Sequence, residues 1–154
     1  MCLTVGRFRT RAELRLANAP QIRTRDFTVY KVLTNSNQAP YRHTYYPKGK
    51  DMEVKKFGKW QDDNGYGDSK WFLKIDEGLH AFKTKDAAFE RLVKLGNQYH
   101  KIVEYLVPAG TPFFFSHDKK EIVTLKLKWK KKSYGINTEN WFEVHKRFYR
   151  NTYL

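Results

Sequence analysis

The histidines are the first residues to weigh for chemistry. His43, His80, His100, His117 and His145 show no paired ligand spacing, and Cys2 is the sole cysteine. A tetrahedral metal site needs several such ligands brought together, so no metal site is expected. Two His-x-Thr motifs, which a two-histidine phosphoesterase needs, are absent. His80, in Gly78-Leu79-His80-Ala81-Phe82, lies at the end of a short strand and reads as a semi-buried, structurally satisfied histidine. Asp62, Asp63 and Asp68 crowd one stretch around Asn64 and Gly65 but lack the closing bidentate acid of a calcium loop. Gly65 and Gly67 lack the rest of a phosphate-binding loop. These residues point to no catalytic residue, no cofactor and no enzyme. A lone thiol excludes an internal disulfide and fits a reducing compartment.

The chemistry that remains is charge. Lys plus Arg is 30 against 16 acids, a net charge of +14. Such an excess repels itself in a compact chain, and a polyanion is its natural partner. Its distribution is uneven. Residues 1–25 hold Arg7, Arg9, Arg11, Arg15, Arg23 and Arg25 against Glu13, and residues 119–154 hold ten cations against three acids. The stretch between them is nearly balanced.

The first cluster reads as an arginine arm. If extended, Arg7, Arg9 and Arg11 project from one side at about 7 Å intervals, close to the phosphate repeat of a nucleic-acid strand. Arginine contacts phosphate bidentately and stacks on bases. The second reads as a lysine comb. In Glu121–Lys132, Val123, Leu125, Leu127 and Trp129 alternate with Thr124, Lys126, Lys128 and Lys130, and Lys131 and Lys132 follow. This period of two predicts a strand. Its lysines either guard a sheet edge or contact a polyanion. Aromatic and basic residues also interleave at Tyr41–Tyr46 and at Lys146–Arg150, where Arg147 and Arg150 flank a helix expected over Trp141–Arg150. Such mixtures can stack bases while holding phosphates.

These residues must be positioned by a single domain, for 154 residues is the size of one and aromatic content is 16%. Strands are expected at Phe27–Leu33, Tyr41–Tyr46, Met52–Trp60, Trp71–Ile75, Leu79–Phe82, Lys101–Val107, Phe113–Phe115 and Ile122–Trp129. Gln61–Ser69 reads as a loop, and Asp76-Glu77-Gly78 as the turn between two short strands. Thr84 caps a helix over Lys85–Tyr99, whose Ala88, Leu92, Leu95 and Tyr99 keep core-facing spacing and which Gly96 weakens. Ala12–Ala19 has room for a short helical turn before Pro20. The expected class is α+β: a mainly antiparallel, twisted sheet packed with one central helix, and a second helix towards the C-terminus. Residues 1–25 form the basic arm, and residues 26–154 the domain. No run of 18 apolar residues is present, so no transmembrane helix is expected.

Three segments together carry a resemblance: Val29-Tyr30-Lys31-Val32-Leu33, then Gly78-Leu79-His80-Ala81-Phe82-Lys83-Thr84 before Ala87-Ala88, then Val107-Pro108-Ala109-Gly110-Thr111 before Glu121-Ile122-Val123-Thr124. Their order resembles a family of small, mostly uncharacterised bacteriophage and bacterial proteins. The resemblance covers about residues 27–128 and implies a phage setting, in a virion or the bacterial host cytoplasm, without an established activity. The order also resembles the ADP-ribosyltransferase fold, which carries an Arg or His on a first strand and a Glu before a late one. Here Tyr30 and Lys31 hold the first position, Glu121 matches the second, and the serine motif of the middle strand is absent.

The reading that follows is a non-enzymatic, phage-type accessory protein. It would contact a polyanion, nucleic acid first, through its Arg and Lys segments. The alternatives are a virion component docked on acidic neighbours or packaged genome, an inhibitor of a host defence system, and an ADP-ribosyltransferase-like enzyme. The sequence does not specify the oligomeric state.

Overall fold

The structure is a computed structural model, and it describes residues 3–40, 43–63, 71–96 and 99–135, with backbone alone at 60–63, 71 and 131–135. In chain order its elements are β1 (Leu3–Phe8), α1 (Arg11–Ala17), β2 (Phe27–Thr34), β3 (Met52–Glu53), β4 (Gly58–Asp63), β5 (Trp71–Glu77), β6 (Leu79–Phe82), α2 (Lys85–Leu95), β7 (His100–Val107), β8 (Phe113–Phe115), β9 (Glu121–Thr124) and β10 (Lys126–Gly135). The strands form a three-stranded sheet in the order β1-β5-β4 and a seven-stranded sheet in the order β3-β10-β7-β2-β6-β9-β8, with antiparallel pairing. Two helices on an antiparallel framework make the class α+β, as expected.

The centre is the pair β2–β7. The β-branched and aromatic run Phe-Thr-Val-Tyr-Lys-Val-Leu suits a pleated, half-buried surface. It pairs over its whole length, from Phe27 opposite Val107 to Thr34 opposite His100. Alternation sends Val29, Lys31 and Leu33 to one face and Tyr30 and Val32 to the other. The first face joins Leu79 and Ala81 of β6, Val103, Tyr105 and Val107 of β7, Ile122 of β9 and Leu127 of β10 in one buried cluster. Strands from across the sheet share this cluster because the sheet curls around it. The chain enforces the curl: β9 and β10 are separated by Leu125 alone, yet β6, β2 and β7 lie between them in the sheet.

The outer face carries two further clusters. Ala88, Phe89 and Leu92 of α2 pack on Val32 and Ile102. On the other side, Leu73 and Ile75 of β5 with Leu3 and Leu14 pack on Phe114 and Val123. The hydroxyl of Thr84 caps α2, accepting the Ala87 N–H at 3.2 Å, and Asp86 lies in the first turn.

Several expectations need correction. Residues 1–25 are bound into the body. β1 pairs with β5, α1 is capped by Thr10, Gln21 pairs with Phe113, and Asp26 accepts the Ala109 N–H at 2.7 Å. The apolar Leu3 and Leu14, 2% and 4% exposed, outweigh the arginines around them. The strand expected over Ile122–Trp129 breaks at Leu125, and Thr124 is buried, its hydroxyl donating to the Pro112 carbonyl at 3.0 Å. β5 and β6 are no hairpin; they belong to different sheets. Met52–Trp60 splits into β3 and β4, and β4 runs on through Gln61–Asp63 into the expected acidic loop. Within Tyr41–Tyr46, the described residues form one bridge, Tyr45 with Gln38. α2 ends at Leu95, where Gly96 takes φ +97°, and Tyr99 is exposed. Among the described residues the helix besides α2 is α1; the one expected at Trp141–Arg150 lies outside the described residues.

The step between the sheets turns on Gly78, at φ +150°, where an added Cβ would collide with Val123 Cγ2. Gly110 has φ +80° with nothing within 4 Å of an added Cβ. Gly78→Ala therefore carries backbone strain plus a clash, and Gly110→Ala strain alone, about 1–3 kcal/mol. Urea denaturation should show Gly78→Ala as the more destabilised; equal midpoints would contradict the corner's role.

Candidate functional site

β2 and β6 run side by side but share one backbone pair, Tyr30 with Phe82. Continued register would set Val32 opposite His80. There the strands part, and a side chain does the ladder's work: Lys31 Nζ donates to the His80 carbonyl at 2.7 Å. An unpaired buried carbonyl is costly. The lysine ammonium supplies the donor that the open seam lacks.

A cavity of about 320 Å³ threads this seam. On the inner side it is walled by Ala39, Tyr46, Met52, Val54, Leu79 and Ala81. On the outer side it meets Val32, Phe82 and Leu95, with Arg91 of α2 and Glu121 at the start of β9. Phe82, Arg91 and Glu121 also border a second, charged hollow of about 200 Å³ reaching Lys94, Lys120, Glu90 and Asp118. A mainly apolar chamber, with Thr44, Asp76 and His80 also in its wall, thus opens through an Arg–Glu rim onto a polar groove. The size falls in the range of small-molecule sites, as does the lining of apolar walls with few polar groups.

The electrostatics centre on Lys31, 9% exposed, with Nζ 4.9 Å from the centroid of the Tyr46 ring. Burial lowers its amine to about 8, and the Glu121 carboxylate opposes that shift. Glu121 is itself raised, by burial first and Asp118 second, while Arg91 and Lys31 draw it back down. Burial pushes the Tyr46 phenol up to about 12. The His80 ring nitrogens lie 3.2 Å and 3.4 Å from the Gly78 and Ile75 carbonyls. Burial and the Lys31 charge depress the ring to about 4, against the two carbonyls, which favour its doubly protonated form. His80 therefore holds the β5–β6 corner as a neutral ring, the structural part expected of it.

The residues singled out for polyanion contact are scattered. Arg7 lies in β1, but β1 ends at Phe8, Thr10 caps α1, and Arg11 opens the helix, so the three-arginine alternation is broken. Arg7, Arg9, Arg15 and Arg25 are exposed. Arg23 lies 4.6 Å over Phe27, and also over Phe113 and Phe115, covering the end of the inner core. Lys126 and Leu127 pair with β3 on one side of β10, and Lys128 pairs with β7 on the other, so the comb does not begin on a bare edge. Lys128 is exposed. Lys130 bonds the Thr28 hydroxyl at 3.2 Å and lies 3.7 Å from the buried Glu104 carboxylate. The register shifts between Trp129 and Ser133, so a bulge spans Lys130, Lys131 and Lys132. Arg147 and Arg150 lie outside the described residues. Among the described residues no three His, Cys, Asp or Glu side chains are grouped to hold a metal, and no helix is long and apolar enough to cross a membrane.

Sequence reasoning passed over Arg91, met Tyr46 only as part of an aromatic–basic stretch and Glu121 as the start of the lysine comb, and weighed Lys31 and Glu121 as site positions only through a resemblance. One signal pointed at Lys31: it occupies the inward parity of an apolar strand, between Val29 and Leu33.

The unfolded Lys31 amine holds its proton up to about 10.5, the folded one only to about 8. Between those values the unfolded state binds more protons, so raising the pH favours folding. Below about 8 the buried charge is a standing cost, on the order of 3 kcal/mol at 1.36 kcal/mol per unit. Lys31→Met removes that cost and leaves the His80 carbonyl unpaired. Its stability relative to wild type should fall by about that amount as the pH rises from neutrality to above 10; a pH-independent difference in chemical denaturation would refute the assignment.

Comparison with known proteins found no matching family model, no matching curated protein and no matching solved structure.

Proposed function

We propose that the chain is a binding protein for a small organic molecule, received in the cavity of the β2–β6 seam. The observation that carries this reading is a buried ammonium, Lys31, in the wall of a 320 Å³ cavity that is otherwise mainly apolar. Burying a charge in a strand's apolar row works against stability, and function is a reason to keep it. The ligand that fits has a compact apolar body and an oxygen acceptor, carboxylate or carbonyl, directed at Lys31. Arg91 at the rim favours an anionic group there.

Cinnamate and cinnamyl alcohol share such a body. Titrated into labelled protein and followed by NMR, cinnamate should shift signals of Tyr46, Leu79 and Lys31, and Ala39→Phe should abolish the shifts without unfolding the chain. The absence of shifts from either compound at about 1 mM, a threshold of about −4 kcal/mol, would remove the reading.

A second reading keeps the polyanion. Its support is the solvent exposure of Arg7, Arg9, Arg15, Arg25 and Lys128 together with the +14 charge. The partner would be a nucleic-acid backbone or an acidic protein surface, free in a bacterial host or within a phage particle, held by phosphate neutralisation with little base reading. Engagement of about six phosphates predicts a log–log salt slope near −5 on duplex. Undetectable binding to duplex and single strands at about 50 mM salt would sink it.

A further inference from the structure

We propose that Lys31 is a reactive amine that captures an aldehyde bound in the seam cavity as an imine. The inference rests on the reading of this cavity as a ligand site and adds the class of ligand and its covalent chemistry.

Three features of the geometry carry it. The amine is held in place: Nζ is anchored to the His80 carbonyl at 2.7 Å and lies over the Tyr46 ring, so its approach to a cavity-bound carbon needs no search through rotamers. The walls are apolar, with Ala39, Met52, Leu79 and Ala81 on the inner side. Such walls offer water few polar partners on that side, which disfavours hydrolysis of an imine formed against them. A carboxyl, Glu121, lines the same cavity and is electrostatically coupled to Lys31. The lowered proton affinity of the amine agrees with this placement, because only the neutral amine is a nucleophile and a desolvated lysine is the kind that reaches that form.

The step balances without an oxidant or reductant. The Lys31 nitrogen lone pair adds to the carbonyl carbon, and the carbon–oxygen π pair moves to oxygen, which takes a proton from the Glu121 carboxyl. The nitrogen returns a proton to Glu121 as the carbinolamine forms. Glu121 then protonates the hydroxyl, which leaves as water while the nitrogen lone pair forms the carbon–nitrogen double bond. The remaining nitrogen proton passes to the Glu121 carboxylate, which leaves the neutral imine and restores the carboxyl, and an aldehyde and an amine have become an imine and water.

The test uses cinnamaldehyde as the probe and sodium cyanoborohydride as the trap, which delivers hydride to the imine carbon and leaves a stable secondary amine. At about pH 7.5 the neutral fraction of an amine at 8 exceeds that of an ordinary lysine by on the order of a hundredfold. Peptide mapping should therefore find the adduct at Lys31 at least about tenfold above that at any other lysine. Cinnamyl alcohol, which binds without reacting, should compete. Lys31→Met, with a circular-dichroism spectrum like that of the wild type, should lose the adduct, and Glu121→Gln should label at the same residue several times more slowly. Adducts spread over surface lysines while cinnamyl alcohol still binds would overturn the imine and leave the cavity reading standing. Failure of both labelling and alcohol binding would overturn the two together. Unchanged labelling in Glu121→Gln would overturn the proton relay.

Discussion

The hydrogen bond from Lys31 to the His80 carbonyl is the contact around which the seven-stranded sheet is organised. An antiparallel ladder is continuous when every backbone donor meets an acceptor, and the β2–β6 ladder stops after Tyr30 and Phe82. A gap at that point exposes a carbonyl to an apolar interior. The Lys31 ammonium closes the account at 2.7 Å, and because its chain is long it does so while leaving the strands apart. The seam can then hold a cavity and still be satisfied. The Tyr46 ring, 4.9 Å from the ammonium, and the more distant Glu121 charge partly offset its desolvation.

Two backbone features make the open seam possible. At Gly78 the chain steps from the three-stranded sheet into β6, in a conformation that side chains avoid and against Val123. The neutral His80 ring has one N–H to give and donates it to one of the Gly78 and Ile75 carbonyls at that corner. At Leu125 the chain passes from β9 to β10 and so joins regions of the sheet that lie three strands apart. The resulting curl gathers one core inside and leaves two outside, under α2 and under β5. The seam lies between the inner core and the α2 cluster, which is why its cavity has walls from both.

The basic residues divide into those the fold employs and those it presents to solvent. Arg23 covers three phenylalanine rings, and Lys130 offsets the buried Glu104 carboxylate. Their charge has work inside the molecule. Arg7, Arg9, Arg15, Arg25 and Lys128 face water and contribute to the electropositive surface. The broken alternation of Arg7, Arg9 and Arg11 shows why spacing alone did not define an interface: Thr10 caps a helix there, and a helix rotates each residue away from the next.

Local rules of sequence determined the elements whose periodicity is strong. The β2 and β7 strands, the Thr84 cap, the α2 face of Ala88 and Leu92 and the β8–β9 hairpin all follow from alternation, helical spacing and capping chemistry, which act within a few residues. The α+β class and the structural part of His80 followed from the same evidence. Tertiary structure alone decided which strand lies beside which, that β5 and β6 part company, that the period-two run breaks at Leu125, and that the 1–25 segment is tied down by Leu3 and Leu14. It also brought Lys31, Arg91 and Glu121 from three elements, and Tyr46 from the loop before β3, to one cavity. The physical reason is range. Propensity and patterning report what a residue's neighbours in sequence demand, and the misplaced polarity of Lys31 was visible at that level. Its partner, a carbonyl 49 positions along the chain, was not. A cavity has no sequence signal of its own, because it is the space left where two strands fail to pair.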